Sequence, residues 1–420
     1  MVKKGYKQTE IGVIPENWEI SSLSSAFQKI EAGVSVNSDN SLFSEYHILK
    51  TSAVHDGVVD TAETKPVIPQ DYLRLKCPLV KGSIIISRMN TPALVGECGF
   101  TKDAKAGTYL PDRLWQIQNF SKSNFHFAWL NYLLNTKQYR DAVRATATGT
   151  SNSMKNISKE RMLDIEIPRP PINEQENIAA ALSEVDELIN LVEKQIDKKK
   201  AIKQGTMQEL LTGKRRLPGF SGEWNKCELG SLGFFLKGTG ISRNESNSGK
   251  LLAVRYGELY TKHQNYVANY FSHISEEVAA NAQRVYSGDV LFAASGETKE
   301  EIGKCAAIIH ETAAYAGGDV LIFRPTAQLD PIFMGTLLNT PDVCKQRAEK
   351  GQGDAVVHIH ADALSSISIM IPIIEEQQAI AEILIGMDKE IELLERKLEK
   401  YRQVKQGMMQ QLLTGKIRLV

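Results

Sequence analysis

Long hydrophobic runs are missing from this chain of 420 residues, and so is an excess of either charge. No stretch approaches the roughly 20 apolar residues of a membrane-spanning helix. The amino terminus, Met1 to Trp18, has Lys3, Lys4 and Lys7 without the apolar core of a secretion signal behind them, so a soluble, cytoplasmic protein is expected. The five cysteines, Cys77, Cys98, Cys227, Cys305 and Cys344, are odd in number, scattered and free of any Cys-x-x-Cys pair, which favours a reduced, cytosolic protein over a disulfide or zinc framework. Fifty basic residues cancel fifty acidic ones, so a nucleic acid would have to be met by local patches. Enzyme motifs are missing too. No glycine-rich strand-turn-helix suggests a bound S-adenosylmethionine, and no Asn-Pro-Pro-aromatic or Asp-Pro-Pro-aromatic motif awaits a target adenine. Gly213-Lys214-Arg215 and Gly415-Lys416-Ile417 lack the upstream glycine and following Ser or Thr of a phosphate-binding loop.

What the chain does contain is a repeat. Aligning Ile178 through Leu217 with Ile380 through Leu419, a shift of 202, makes 20 of 40 positions identical, and such a repeat governs the reading of everything else. In the first copy Ile178, Leu182, Val185, Ile189, Val192 and Ile196 step by four and three; in the second, Ile380, Leu384, Met387, Ile391, Leu394, Leu398 and Tyr401 do the same. This is a heptad seam on a helix of roughly 39 residues and about 58 Å. Pro170-Pro171 forbids helix upstream, Asn173 with Glu176 forms a capping-box-like start, and Gly213 and Gly415 stand where left-handed caps would end each helix.

Charge predicts how the helices pair. Residues 174 to 193 carry six acids and no base, whereas 194 to 216 carry eight bases against Asp197 and Glu209, and the second copy has the same polarity. Packed antiparallel, each acidic half lies along a basic half and the helix dipoles oppose. An intramolecular antiparallel coiled coil is expected, in preference to two separate amphipathic helices.

The segments before the helices repeat in layout. Lys81-Gly82-Ser83-Ile84-Ile85-Ile86 answers Ser287-Gly288-Asp289-Val290-Leu291-Phe292, a turn glycine followed by a short buried strand. Leu133-Leu134-Asn135-Thr136 answers Leu337-Leu338-Asn339-Thr340 within a helical pattern. A polar, glycine-containing loop follows each, Ala145 to Asn156 and Lys350 to His360, and these loops have diverged. Related platforms with unlike surfaces suit a protein that reads two different things.

Both halves also open alike. Trp18 is followed five residues on by Leu23, and Leu217-Pro218-Gly219-Phe220-Ser221-Gly222-Glu223-Trp224 by Leu229. These openings, with the closing Leu-Leu-Thr-Gly-Lys-x-Arg-Leu, resemble the specificity (S, HsdS) subunits of type I restriction-modification systems across essentially the whole chain. The resemblance implies an α/β (α+β) fold: two tandem target-recognition domains, 1–166 and 217–370, each followed by a conserved helical spacer, 167–216 and 371–420, related by pseudo-two-fold symmetry. It also implies a non-catalytic subunit that reads a bipartite DNA target while its helices fix the gap. Its partners would be double-stranded DNA, two modification subunits that bind S-adenosylmethionine and methylate adenine, and restriction subunits that use ATP and Mg²⁺; no cofactor is expected in this chain.

Base readout in the major groove needs Arg or Lys toward guanine and Asn or Gln toward adenine, on a platform fixed by phosphate contacts. The first-half candidates are Arg144, Asn152, Lys155, Asn156 and Lys159 in and around the diverged loop, with Arg88, Asn90 and Arg113. In the second half they are Arg255, Tyr256, Lys299, Lys304, Gln352, His358 and His360. Met207, Leu210, Leu211, Met409, Leu412 and Leu413 carry more apolar surface than a two-helix seam needs and are the expected docking patches for partner subunits. Two other readings stand beside this one. Asp289, Glu297 and Lys299 have the spacing of a Mg²⁺-dependent nuclease, and the helices alone would suit a coiled-coil adaptor without DNA. His358-x-His360 lacks a third metal ligand at usual spacing.

Overall fold

The structure is a computed structural model, which describes residues 3–27, 29–118, 124–149, 153–353 and 356–420. It divides into two compact units, Met1–Glu193 with Arg396–Val420, and Lys194–Glu395. Among the described residues no helix is long and apolar enough to cross a membrane.

The first unit is built on a six-stranded sheet in the order Ile30–Ala32, Leu114–Ile117, Ile84–Ser87, Cys98–Phe100, Gly57–Val59, Val54–His55. The run after Gly82 becomes its central strand, as its unbroken apolar character requires of a strand covered on both faces. Alternate side chains feed separate cores. Ile84, Ile86, Trp115 and Ile117 pack with Trp129, Leu130 and Leu133 of the helix Phe127–Leu134 and with Ile178 and Leu182 of the long helix. Ile85 and Leu114 face the other way, onto Leu49, Val59, Leu79 and Leu110.

The second unit repeats this plan. Its sheet runs Gly233–Lys237, Val320–Pro325, Val290–Ala293, Cys305–Ile308, Tyr266–Val267. Val290, Phe292 and Phe323 pack toward the helix Pro331–Leu337 and the long helices, and Leu291, Ala293 and Ile322 toward a four-stranded sheet on the other face. The shared Leu-Leu-Asn-Thr motif has a structural reason. Asn135 Nδ2 donates to the Cys98 carbonyl at 3.4 Å, and Asn339 Nδ2 to the Cys305 carbonyl at 2.8 Å, so each helix end is stitched to the same strand of its sheet.

The long helices are Ile172–Leu210 and Ile374–Leu412, each 39 residues, and Gly213 and Gly415 close them at φ of +66° and +69°. They pair antiparallel within each unit. In the first, Asp186 faces Lys405 at 2.6 Å and Glu193 faces Arg402 at 2.7 Å. In the second, Lys199 faces Glu390 at 2.6 Å, Lys200 faces Glu395 at 2.7 Å, and Lys203 pairs with Asp388. The three exposed pairs, Glu193–Arg402, Lys199–Glu390 and Lys200–Glu395, are worth about 0–1 kcal/mol each, so they help select direction and register while the buried Ile178, Leu182, Val192, Ile196, Ile380, Leu384 and Ile391 supply the stability.

One expectation is corrected here. Leu210, Leu211, Leu412 and Leu413 are not free docking patches. All four are buried, Leu412 and Leu413 in the core of the first unit and Leu210 and Leu211 in that of the second, with Met409 and Met207 packed against the same cores. The surface that exceeds the seam is covered by the chain's own globular domains, because each closing motif is also a domain-attachment site. A bidentate pair completes each attachment. Arg418 donates to Glu174 at 2.5 and 2.8 Å beside Trp18, and Arg216 donates to Glu376 at 2.7 Å from two nitrogens beside Trp224.

Candidate nucleic-acid interface

Strand register decides which loops can act together. In the first unit Ser87 pairs with Leu114, Ile86 with Cys98, and Ala32 with Trp115. The end of the central strand, the starts of two neighbours and the end of a third therefore meet at one edge, which presents Arg88 onward and the segment through Arg113. Arg88 and Arg113 are joined there, the Arg88 amide donating to the Arg113 carbonyl at 3.0 Å. The diverged loop comes to the same edge. Lys155–Ile157 forms the middle strand of a small sheet between Met89–Asn90 and Ala147–Thr148, with Asn90 opposite Lys155 and Met89 opposite Asn156. Residues 65 positions apart in sequence thus become cross-strand neighbours.

Arg88, Asn90, Arg113, Lys155 and Asn156 are therefore assembled into one surface. Arg88 lies over the Trp115 ring, 5.7 Å from its centre, and among the described residues neither its Nε nor Asn156 Oδ1, both buried, has a hydrogen-bond partner. Unpaired buried polar atoms are uncommon in folded proteins, and their clustering marks a place where a ligand or water completes the bonding. Lys155 Nζ donates to the Gly149 carbonyl at 2.5 Å. Arg144 has a different role. It donates to the buried Glu97 at 2.5 Å and so ties the loop to the turn before Cys98. Lys159 is exposed on the short helix Lys159–Leu163 that follows. Asn152 lies outside the described residues.

The second unit gathers its candidates at the same edge of its sheet, since Ala293 pairs with Val320 and Phe292 with Cys305. Ser295–Gly296 pairs with Val357–His358, while His358 and Gln352 exchange backbone hydrogen bonds at 2.7 and 2.9 Å. Ser295 Oγ and His358 Nδ1 are 3.0 Å apart and hydrogen-bonded. Strand Leu251–Val254 ends there too, the Gly317 amide donating to the Val254 carbonyl at 3.0 Å, so Arg255 and Tyr256 emerge beside this ladder. Tyr256 is exposed, whereas Arg255 Nε donates to Ser272 Oγ at 3.2 Å and its Nη2 lies 3.6 Å from the buried Glu258. Lys299 and His360 are exposed; Lys304 Nζ donates to the Tyr260 carbonyl at 3.1 Å.

The nuclease arrangement does not form. Asp289 is buried at the start of the central strand, accepts from Arg324 Nε and Nη2 at 2.9 and 2.6 Å, and accepts from the Tyr286 amide at 2.9 Å. Glu297 and Lys299 lie past the other end of that strand, on the exposed loop, so the two carboxylates cannot share an ion. Sequence reasoning missed Glu97 and Trp115, which shape the first cluster. They carried no local signal, since each meets its partner only through the fold.

Comparison with known proteins finds relatives along the whole chain. A model of the type I restriction modification DNA specificity domain matches the chain twice, at residues 15–201 and 221–402. Two Methanocaldococcus jannaschii proteins named as type I restriction enzyme specificity subunits are similar to it. MjaX is 26% identical over 99% of this chain and 97% of its own, and MjaVIII 26% identical over 69% and 70%. Among solved structures, the S subunit of a type I restriction-modification system from M. genitalium shares the fold with a TM-score of 0.59 at 15% identity, covering 94% of this chain and 96% of that one. A chain from a structure described for complex assembly and conformational transition of the type I R-M system gives 0.52 at 15% identity, covering 96% and 99%.

Proposed function

The chain belongs to the type I restriction modification DNA specificity family and is a specificity subunit with two tandem recognition domains, and from that premise we propose how it divides its task. Each recognition domain reads one half of a bipartite, asymmetric DNA target through the cluster at the edge of its sheet. The observation that carries this is that both domains assemble a small extra ladder at the same edge, from loops that share almost no sequence. A duplicated support with unlike contacts is what two unlike half-sites require. In the first domain Asn90, Lys155 and Asn156 face base edges while Arg88, Arg113 and Lys159 serve phosphates. In the second, Gln352 and His358 read bases with Lys299 and Lys304 at the backbone.

The subunit is non-catalytic in this reading. S-adenosylmethionine, ATP and Mg²⁺ act in partner subunits, two for modification and others for restriction, in the cytoplasm. Docking of the modification subunits is assigned to exposed apolar residues that recur with the helix repeat. Leu191 and Leu393 are 53% and 64% exposed, and Ile202 and Val404 45% and 44%, each pair separated by the same 202 positions. Leu191 and Ile202 are three helical turns apart and share a face, as do Leu393 and Val404.

The experiment is to co-express the chain with its modification subunits and map methylated adenines across host DNA. The reading predicts one bipartite motif with two unlike halves. Purified chain that methylated or cut DNA unaided, given S-adenosylmethionine and Mg²⁺, would contradict it.

A further inference from the structure

Each unit contains a polar contact that the helix repeat alone does not explain. In the first, Asp186 accepts from Lys405 Nζ at 2.6 Å and from the Tyr132 hydroxyl at 2.7 Å, and the ammonium lies 5.7 Å from the Tyr132 ring centre. In the second, the repeat equivalents Asp388 and Lys203 are paired, and the Tyr266 hydroxyl donates to Asp388 at 3.2 Å. The two Asp-Lys pairs are copies of each other, shifted by 202. The tyrosines are not. Tyr132 stands on the helix Phe127–Leu134, where the second domain has Thr336, and Tyr266 stands on the strand Tyr266–Val267. The same hydroxyl-to-carboxylate bond is made from two different elements of a duplicated domain. An inherited contact would reuse its element; a contact rebuilt from another marks a positional requirement.

The surroundings say what is being positioned. The domain's apolar grip on the first helix takes in Ile178, Ala179 and Leu182, and Asp186 is one turn beyond it. Beside the contact lies a cleft of about 600 Å³, lined by Leu133, Tyr139, Arg402, Lys405 and Met409. The second unit has its counterpart, about 700 Å³, lined by Lys203, Met207, Asn339, Asp388 and Ile391. Across such a cleft packing does little to fix an angle, because dispersion needs atoms in contact. A charge-assisted hydrogen bond fixes it, since its strength falls steeply with misalignment. Burial and the neighbouring carboxylate push Tyr266 up to about 12 and raise Tyr132 as well, so both hydroxyls stay protonated donors at neutral pH.

We propose that Tyr132 with Asp186 and Lys405, and Tyr266 with Asp388 and Lys203, are positioning residues: struts that set the tilt of each recognition domain on its helices and thereby the strictness with which the gap in the DNA target is measured. This rests on the bipartite reading above. The test uses the full chain co-expressed with its modification subunits and compares methylation at targets of native gap with targets one base pair longer or shorter. With Tyr132→Phe and Tyr266→Phe together, discrimination against the altered gap should fall at least about tenfold, with both half-sequences and the unfolding midpoint unchanged. Lys405→Met with Lys203→Met should relax it likewise, and Lys405→Arg with Lys203→Arg should restore part of it. Wild-type discrimination in both the Phe and Met variants overturns the inference, whether or not the midpoint drops. A wild-type chain whose target is not bipartite overturns the reading beneath it instead.

Discussion

The two recognition domains share a scaffold and differ at the edge that each presents. The first gathers Arg88, Arg113 and Lys155, with Lys159 and Arg161 following, against Asp112 and Glu160, while its Glu97 is already neutralised by Arg144. The second offers Lys299 and Lys304 among Glu297, Glu300 and Glu301, with Arg255 held near Glu258. The attachments differ as well. Glu174 is held by Arg418 and by Trp18 Nε1 at 2.9 Å, whereas Glu376 has Arg216, and the buried Trp224 Nε1 has no partner among the described residues. Duplication preserved sheet, helix and the placement of the edge, and left charge and polar satisfaction to diverge. On the proposed reading, the first domain engages DNA more through charge, and the second through contacts in which shape and neutral hydrogen bonds count for more.

The largest effect should come from the attachments. The full cost of breaking such a pair from the arginine side is that of a buried carboxylate left without its counter-charge. Arg418→Ala should fall short of that, because Trp18 still donates to Glu174. Arg216→Ala leaves Glu376 without its bidentate partner and should destabilise more, as chemical denaturation would reveal. Equal losses would remove the asymmetry.

The electrostatic contrast is next. Each phosphate contact contributes a slope of about 0.9 to the salt dependence of binding. Replacing Arg88, Arg113 and Lys159 by Ala should flatten the slope by about three units for any sequence, and replacing Lys299 and Lys304 by less than two. Binding isotherms at several salt concentrations decide it; a larger change from the second pair would reverse the comparison. Docking is expected to be even-handed. Leu393→Asp should lower the number of modification subunits bound from two toward one, as should Leu191→Asp, and an unchanged mass by light scattering would remove these residues from the interface. The smallest effect is local. Asn156→Ala should relax preference at one base pair of one half-site, costing roughly 1–3 kcal/mol for the preferred base. Altered preference in both half-sites would contradict the division of labour.

Much of this was legible in the amino-acid pattern, for reasons that can be named. The helices announce themselves because a heptad seam, glycine caps and a charge gradient are all local, and antiparallel pairing follows from the gradient. The central strands are legible as apolar runs after a turn glycine. The diverged loops are visible as polar breaks in a repeat. What stays hidden is whatever needs the fold to bring it together. Nothing local links Asn90 to Lys155, Arg144 to Glu97, or Glu174 to Arg418, whose partners lie 47 to 244 positions away. Leu412 and Leu413 mislead for a related reason. An apolar pair at a helix end reads the same whether a partner subunit or the chain's own domain covers it.

The account stands on the helices as the ruler between two unlike half-sites, and one measurement addresses that directly. One heptad inserted after Val192 and another after Leu394 keeps the seam and adds about 10 Å, seven residues at roughly 1.5 Å, which spans about three base pairs. Mapping methylated adenines under this variant should return both half-sequences unchanged with a longer gap between them, at reduced activity because the second half-site is also rotated about the duplex. Methylation at the original gap with full activity, or at new half-sequences, would contradict it.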